Sequence, residues 1–302
     1  MGRIAFVFPG QGAQTPGMGE SLYRASLAAR AVFDMAEKIR PGTTAQCFSG
    51  TEEELARTIN TQPCLYCADL AAAKALMEKG VKPDMLAGFS LGELVALAVS
   101  GAVTEEEGLQ IVMKRAGLMQ EAAERSGASM AAVVKLNNET VAQLCNEFEQ
   151  VYPVNFNCPG QVVVSGAAEE MEAFKSRVRE AGGRCLPLKV GGGFHSPFML
   201  PAAEGFRAAL EAFSVGAPQI PVYSNVTALP YGGGVKAQLA RQIISPVLWS
   251  RTVENMLAAG ADTFIECGPG RVLAGLIARI TDKARVFCVE DEETLEKTLS
   301  EV

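Results

Sequence analysis

Asp84-Met-Leu-Ala-Gly-Phe-Ser-Leu-Gly-Glu-Leu-Val-Ala-Leu97 is the stretch on which the fold turns. Asp84–Phe89 is a short apolar run and predicts a buried strand. Leu91–Ser100 is rich in Ala and Leu and predicts a helix directly after it. At the junction, Gly88, Ser90 and Gly92 make a G-x-S-x-G pattern. A strand that turns sharply into a helix leaves no room for side chains beside the serine, so the flanking residues must be glycine. The turn lifts the hydroxyl out at the C-terminal edge of a sheet and aims a helix N-terminus at whatever binds there.

Elements of the same kind lie on both sides. Ile4–Phe8 reads as a strand, followed by a glycine-rich loop over Pro9–Gly19. Helical patterning covers Ser21–Ile39 and Gln62–Lys79, the latter stopped by Gly80 with Pro83 beyond. Thr104-Glu-Glu-Glu107 offers a capping hydroxyl and acids against the positive end of a helix dipole, opening a helix that reaches about Arg125. This alternation predicts an α/β fold with a mostly parallel sheet covered on both faces, in a large α/β-hydrolase-like domain. Further strands are expected at Pro221–Asn225 and Thr263–Glu266.

The middle of the chain has another rhythm. Met130–Leu136, Asn138–Gln150, Val151–Phe156, Gln161–Ser165, Ala168–Ala181 and Arg184–Val190 read β-α-β-β-α-β, the ferredoxin-like order. Ser126-Gly127 and Gly191-Gly192-Gly193 look like hinges. The expected organisation is therefore a catalytic domain of residues 1–126 and 194–302, with an α+β subdomain of residues 127–193 inserted.

Composition narrows the function. The 302 residues are 48% hydrophobic and 20% charged, an ordinary globular balance. A compact chain of this length has a radius of gyration of roughly 19 Å, ample for a core without staples. The net charge of −7 comes without a basic stripe, which argues against a nucleic-acid binder. No window approaches the ~18 apolar residues of a membrane span. Met1-Gly2-Arg3-Ile4 runs straight into a strand, so no secretory leader is expected. Eight cysteines are scattered through apolar segments, with one CxxC, Cys64–Cys67. A zinc site wants four ligands, and the chain has one histidine and no second CxxC, so no metal is expected. The thiols read as core residues of a reduced, cytoplasmic protein.

A serine at its free pKa is a poor nucleophile and needs a base. The only histidine is His195, so any Ser–His chemistry within the chain must use it. A lone histidine is more often a satisfied structural residue. This one sits in Gly191-Gly-Gly-Phe-His-Ser-Pro197, an irregular segment after a strand, where α/β proteins gather functional groups. No acid that would orient it is evident; a carbonyl could do so equally well. Arg115, in a largely apolar helical stretch, is either a snorkelling surface residue or a planar fork for a substrate carboxylate. Lys114 should point elsewhere. The loop Gly10-Gln-Gly-Ala-Gln14 has Thr15 where a dinucleotide fingerprint needs its third glycine, and no P-loop lysine follows. One of its backbone N–H groups, with that of Leu91, could form an oxyanion hole.

Taken together, Phe8-Pro-Gly-Gln-Gly-Ala-Gln14, Gly88-Phe-Ser-Leu-Gly-Glu93, Lys114-Arg115-Gly117 with Met119-Gln120, Asn155-Phe-Asn157 with Pro159-Gly160-Gln161, Phe194-His-Ser196, Pro221-Val-Tyr-Ser-Asn225, Gln242 with Ser245-Pro-Val247 and Trp249, and Glu266 with Gly268-Pro-Gly270 resemble the malonyl-CoA:acyl carrier protein transacylase family, which includes acyltransferase domains of fatty acid and polyketide synthases. They run in family order over about residues 3–290.

The resemblance implies roles. Ser90 is the acylated nucleophile and His195 its base. The backbone N–H groups of Gln11 and Leu91 hold the oxyanion, and Arg115 pairs with the malonyl carboxylate. The main-chain carbonyl of Gln242 orients the histidine, Phe194 limits room beside the α-carbon, and Asn157 is expected to reach the thioester carrier. The implied reaction moves a malonyl group from malonyl-CoA to the phosphopantetheine thiol of acyl carrier protein by a ping-pong route, supplying fatty acid synthesis. No cofactor is bound to the chain itself. Arg271, Arg279, Lys283 and Arg285 are candidates for a basic docking patch for the acidic carrier. One departure stands out: many members have histidine where this chain has Phe89. A hydrolase using water as acceptor, an acyltransferase of a malonate decarboxylase or polyketide pathway, and a catalytically silent scaffold remain as alternatives.

Overall fold

A computed structural model describes residues 2–188 and 192–302. Its strands are β1 (Arg3–Phe8), β2 (Met85–Gly88), β3 (Ala128–Val134), β4 (Val151–Cys158), β5 (Gln161–Ala167), β6 (Arg184–Pro187), β7 (Val222–Tyr223), β8 (Ala261–Cys267) and β9 (Arg285–Val289). Five form a wholly parallel sheet in the order β7-β2-β1-β8-β9. The other four form an antiparallel sheet in the order β4-β5-β3-β6.

Alternation along the strands builds the layers. In β1, Phe6 and Phe8 enter one apolar core, with Leu86, Ile265 and the helices Leu27–Ile39, Thr58–Glu78 and Gly92–Val99. Ala5 and Val7 face the other side, with Met85, Ala87 and Phe264, against Trp249–Ala258 and Val272–Ile280. Every residue of β2 is buried, as a central parallel strand requires. The antiparallel sheet is likewise two-faced. Ala131, Val133, Val162 and Val164 pack on the helices Asn138–Cys145 and Ala168–Glu180. Met130, Ala132 and Val163 join the first core instead. The two sheets are tied directly: Phe156 N–H donates to Val247 O at 2.9 Å, and Val247 N–H to Val154 O at 2.9 Å.

Several elements depart from expectation. The helix over Ser21–Ile39 is two, Glu20–Ala25 and Leu27–Ile39, because Ser26 is extended and its Oγ accepts from Ala29 N–H. The next long helix starts at Thr58, before Pro63. The turn ahead of that proline is closed by Asn60 and Thr61 N–H groups on Arg57 O, at 2.8 Å each. The helix after Asn137 stops at Cys145, and the chain turns so that Phe148 meets Phe174 edge-on at 5.7 Å. β6 ends at Pro187, although Leu188 N–H still donates to Met130 O. The remainder of that expected strand, and Gly191 of the expected hinge, lie outside the described residues. Strand β9 and the helix Glu292–Leu299 had no counterpart in the sequence reading.

Candidate active site

Ser90 stands between β2 and the helix Gly92–Val99 with φ +54°, a left-handed conformation that costs a side-chain-bearing residue about 1–3 kcal/mol. The glycines around it are steric necessities. A Cβ on Gly88 would lie 1.9 Å from the Gly92 carbonyl carbon, and one on Gly92 would lie 2.2 Å from Phe8 O. A Cβ on Gly10 would lie 2.5 Å from Phe89 O, so the first loop also packs closely on the turn. The strained peptide is held from both sides. Ser90 N–H donates to Asn225 Oδ1 at 2.7 Å, and Ser90 O accepts from Gln242 Nε2 at 2.9 Å.

His195 comes from a loop 105 residues further on, itself at φ +60°, and is only 4% exposed. Its Nε2 is 2.7 Å from Ser90 Oγ, and its Nδ1 is 2.9 Å from the Gln242 main-chain carbonyl. A carbonyl can only accept, so Nδ1 carries the proton and Nε2 offers its lone pair to the serine. Burial pulls the imidazole pKa down to about 4. Arg115 acts in the same direction, while the Gln242 and Ser245 carbonyls oppose it. The ring is therefore neutral at pH 7, the form that can take a proton.

Arg115 projects from the helix Glu105–Ser126 and is 1% exposed, whereas Lys114 is exposed. Its Nη1 donates to Gln62 Oε1 at 2.9 Å. Its Nη2 donates to Gln242 Oε1 at 2.8 Å and to Ser90 Oγ at 3.0 Å. Nε has no partner among the described residues. Burial lowers the guanidinium pKa to about 10, opposed by Glu93, so the group stays charged at neutral pH.

These groups face a cavity of about 90 Å³. Its apolar wall includes Phe89, Met119, Met130, Leu188 and Phe194, with Phe89 packed on Trp249 at a centroid distance of 5.7 Å. Gln11 and Leu91 line it too, and among the described residues neither backbone N–H has a protein acceptor. Asn157 is buried but does not line the cavity, whereas Asn155, two residues earlier, does; among the described residues neither Oδ1 has a partner.

Sequence reasoning passed over three residues. Gln62 anchors Arg115. Asn225 grips Ser90 N–H and donates to Gly88 O at 2.6 Å. Glu93, fully buried, binds both Asn225 and Gln242. A charged residue in the otherwise apolar Gly92-Glu-Leu-Val-Ala-Leu-Ala-Val99 was the available signal for Glu93. The four candidate docking residues, Arg271, Arg279, Lys283 and Arg285, are all exposed. Arg279 donates to Gln161 Oε1, and Arg285 to Thr263 Oγ1 and Glu301 O. The eight cysteines are unpaired, and among the described residues no cluster of His, Cys, Asp or Glu is arranged to hold a metal. No described helix is long and apolar enough to cross a membrane.

A description of the acyl transferase domain matches residues 5–291. The chain belongs to this acyl transferase family. Members that resemble it span its whole length. The malonyl CoA-acyl carrier protein transacylase of Bacillus subtilis (strain 168) is 38% identical over 98% of this chain and 96% of its own. That of Escherichia coli (strain K12) is 36% identical over 99% of each. Among solved members, the malonyl CoA-acyl carrier protein transacylase of Clostridium perfringens superposes with a TM-score of 0.96 at 36% identity, covering 99% of this chain and 96% of that one. A malonyl-transacylase in complex with its type II PKS acyl-carrier protein superposes with a TM-score of 0.95 at 37% identity, covering 99% and 100%.

Proposed function

We propose that this acyltransferase moves a malonyl group from malonyl-CoA to the phosphopantetheine thiol of acyl carrier protein through a malonyl-serine. One observation carries the reading. A guanidinium nitrogen and an imidazole nitrogen meet on a single serine oxygen, at 3.0 and 2.7 Å. In a malonyl thioester one methylene separates the carboxylate from the reacting carbonyl. A cation beside the nucleophile is therefore what such a substrate needs.

Arg115 exchanges its bond to Ser90 Oγ for the carboxylate. His195 Nε2 takes the serine proton as Oγ bonds to the thioester carbon. The oxyanion is held by the N–H groups of Gln11 and Leu91, each typically worth ~3–4 kcal/mol. The carbon–sulfur bond then breaks, and His195 returns its proton to the CoA sulfur. The carrier thiol repeats these steps in reverse: its proton passes to His195, its sulfur bonds the malonyl carbon, and Ser90 leaves with the proton. Water competes poorly in an apolar cleft. The chain's own side chains and backbone N–H groups carry these steps, and the CoA and pantetheine arms arrive with the substrates.

The domain reading is a catalytic unit of residues 1–126 and 194–302 with residues 127–193 inserted. The strand order and two helices on one face support the ferredoxin-like description of the insert, and the G-x-S-x-G turn supports the α/β-hydrolase-like description of the rest. Asn157 sits two residues beyond Asn155 on β4 and remains the candidate contact to the carrier arm; Phe194 bounds the acyl group. Arg271 and Lys283 make no side-chain hydrogen bond among the described residues, unlike the equally exposed Arg279 and Arg285, and suit an acidic carrier. Eight unpaired thiols suit the cytoplasm.

The test is intact-mass analysis after incubation with malonyl-CoA. The chain gains one malonyl group, loses it to added acyl carrier protein, and Ser90→Ala gains none. An adduct on Ser90→Ala moves the nucleophile elsewhere. Discharge to water as fast as to the carrier makes the chain a hydrolase.

A further inference from the structure

The Ser90 peptide is strained, and the two side chains that grip it share one anchor. Glu93 Oε2 accepts from Asn225 N–H at 3.0 Å and from Gln242 Nε2 at 2.7 Å, while Oε1 accepts from the Tyr231 hydroxyl. Asn225 holds Ser90 N–H and Gln242 holds Ser90 O. The same bond sets which way the Gln242 amide points. Its NH₂ end faces two oxygens, Glu93 Oε2 and Ser90 O, so its Oε1 must face Arg115. A flipped amide would set nitrogen against nitrogen at the guanidinium. Gln242 also holds the imidazole through its main chain.

From this geometry we infer that Glu93 is a positioning residue, the hub that fixes Ser90 in its attacking conformation and aligns Gln242 between base and cation. The inference rests on the acyl-transfer reading. Glu93 touches neither Ser90 Oγ nor His195 and acts through Asn225 and Gln242.

A positioning role has a signature distinct from that of Arg115. The serine geometry is common to every acyl donor, so Glu93→Leu lowers kcat for malonyl-CoA and acetyl-CoA by the same factor, about 10²-fold, with KM changed less than about threefold; displacing a reacting group by an ångström has this order of effect. Glu93→Gln keeps an oxygen that can accept from both Asn225 and Gln242, and restores kcat to within about fivefold of wild type. The proposal is overturned by a folded Glu93→Leu chain with wild-type kcat, by Glu93→Gln as slow as Glu93→Leu, or by a loss confined to KM. If Glu93→Leu shows no cooperative thermal transition, Asn225→Ala takes its place. It removes one grip on Ser90 and must lower kcat for both donors without raising KM; an unchanged kcat overturns the proposal. A wild-type chain that forms no malonyl adduct defeats the acyl-transfer reading and this one with it. A wild-type adduct alongside an equally fast Glu93→Leu defeats only the role of Glu93.

Discussion

The two walls of the cleft are built on different terms. On the parallel-sheet side the side chains of Ser90, His195, Arg115 and Gln242 bond to one another, and of their polar atoms only Arg115 Nε has no partner among the described residues. On the antiparallel-sheet side Met130, Leu188 and Asn155 offer apolar surface and one buried amide oxygen that has no partner among the described residues. An interlocked wall resists displacement, which suits groups that must be in place before a substrate arrives. A wall with an unpaired amide has a bond still to make. Under the proposed function, the difference assigns bond-making chemistry to one side and reception of the substrate's arm to the other.

The sharpest way to break this division is at His195. Replacing it with Ala slows acylation of Ser90 by about 10²–10⁴-fold in a single-turnover measurement with malonyl-CoA; an unchanged rate removes the imidazole from the chemistry. Its pH dependence refines the point. An imidazolium cannot accept a proton, so activity is lost as pH falls through the folded pKa. With burial holding that value at about 4, the acylation rate stays level from pH 8 to about pH 5.5, and a midpoint near 6.5 contradicts the buried, neutral base. Arg115→Ala comes next. Loss of a charge-assisted bond, about 1.5–3 kcal/mol, lowers malonyl transfer roughly 10–100-fold, while acetyl transfer falls far less. Equal losses would mean that the guanidinium does not read the carboxylate. The smallest effect belongs to the other wall. Asn155→Ala raises KM for malonyl-CoA about threefold to tenfold with kcat within about twofold. A fall in kcat alone would place this amide among the groups that act on the reacting bonds.

The same contrast explains what could be read from the chain. The serine turn was legible because its pattern is local: Gly88, Ser90 and Gly92 are neighbours, and the Gly88 clash arises within a few residues, although the Gly92 clash is with Phe8 on β1. Counting singled out His195, since no other imidazole exists. The parallel sheet followed from strand–helix alternation. Edge strand β9 escaped notice because its apolar run, Val286-Phe-Cys-Val289, is only four residues long between charged neighbours, too short for periodicity to tell a strand from a helical segment. Glu93 and Asn225 were quoted in motifs without a role. Their bonds reach across more than 130 residues, and no pattern within a segment reports such pairings. The choice between Asn155 and Asn157 was hidden for another reason. The β4–β5 register shifts twice, between Pro153 and Asn155 and between Phe156 and Cys158, so counting by twos does not say which amide looks into the cleft.

Gln242 spends both halves of its structure on the site, its main chain on the imidazole and its amide on the guanidinium. Swapping its side chain would disturb Arg115 and the Ser90 peptide, while bending its backbone would disturb His195. Redesign toward other acyl groups has little freedom there. Phe89 and Phe194 line the cavity outside that linkage, and under the proposed function they are where selectivity is retuned without dismantling the engine.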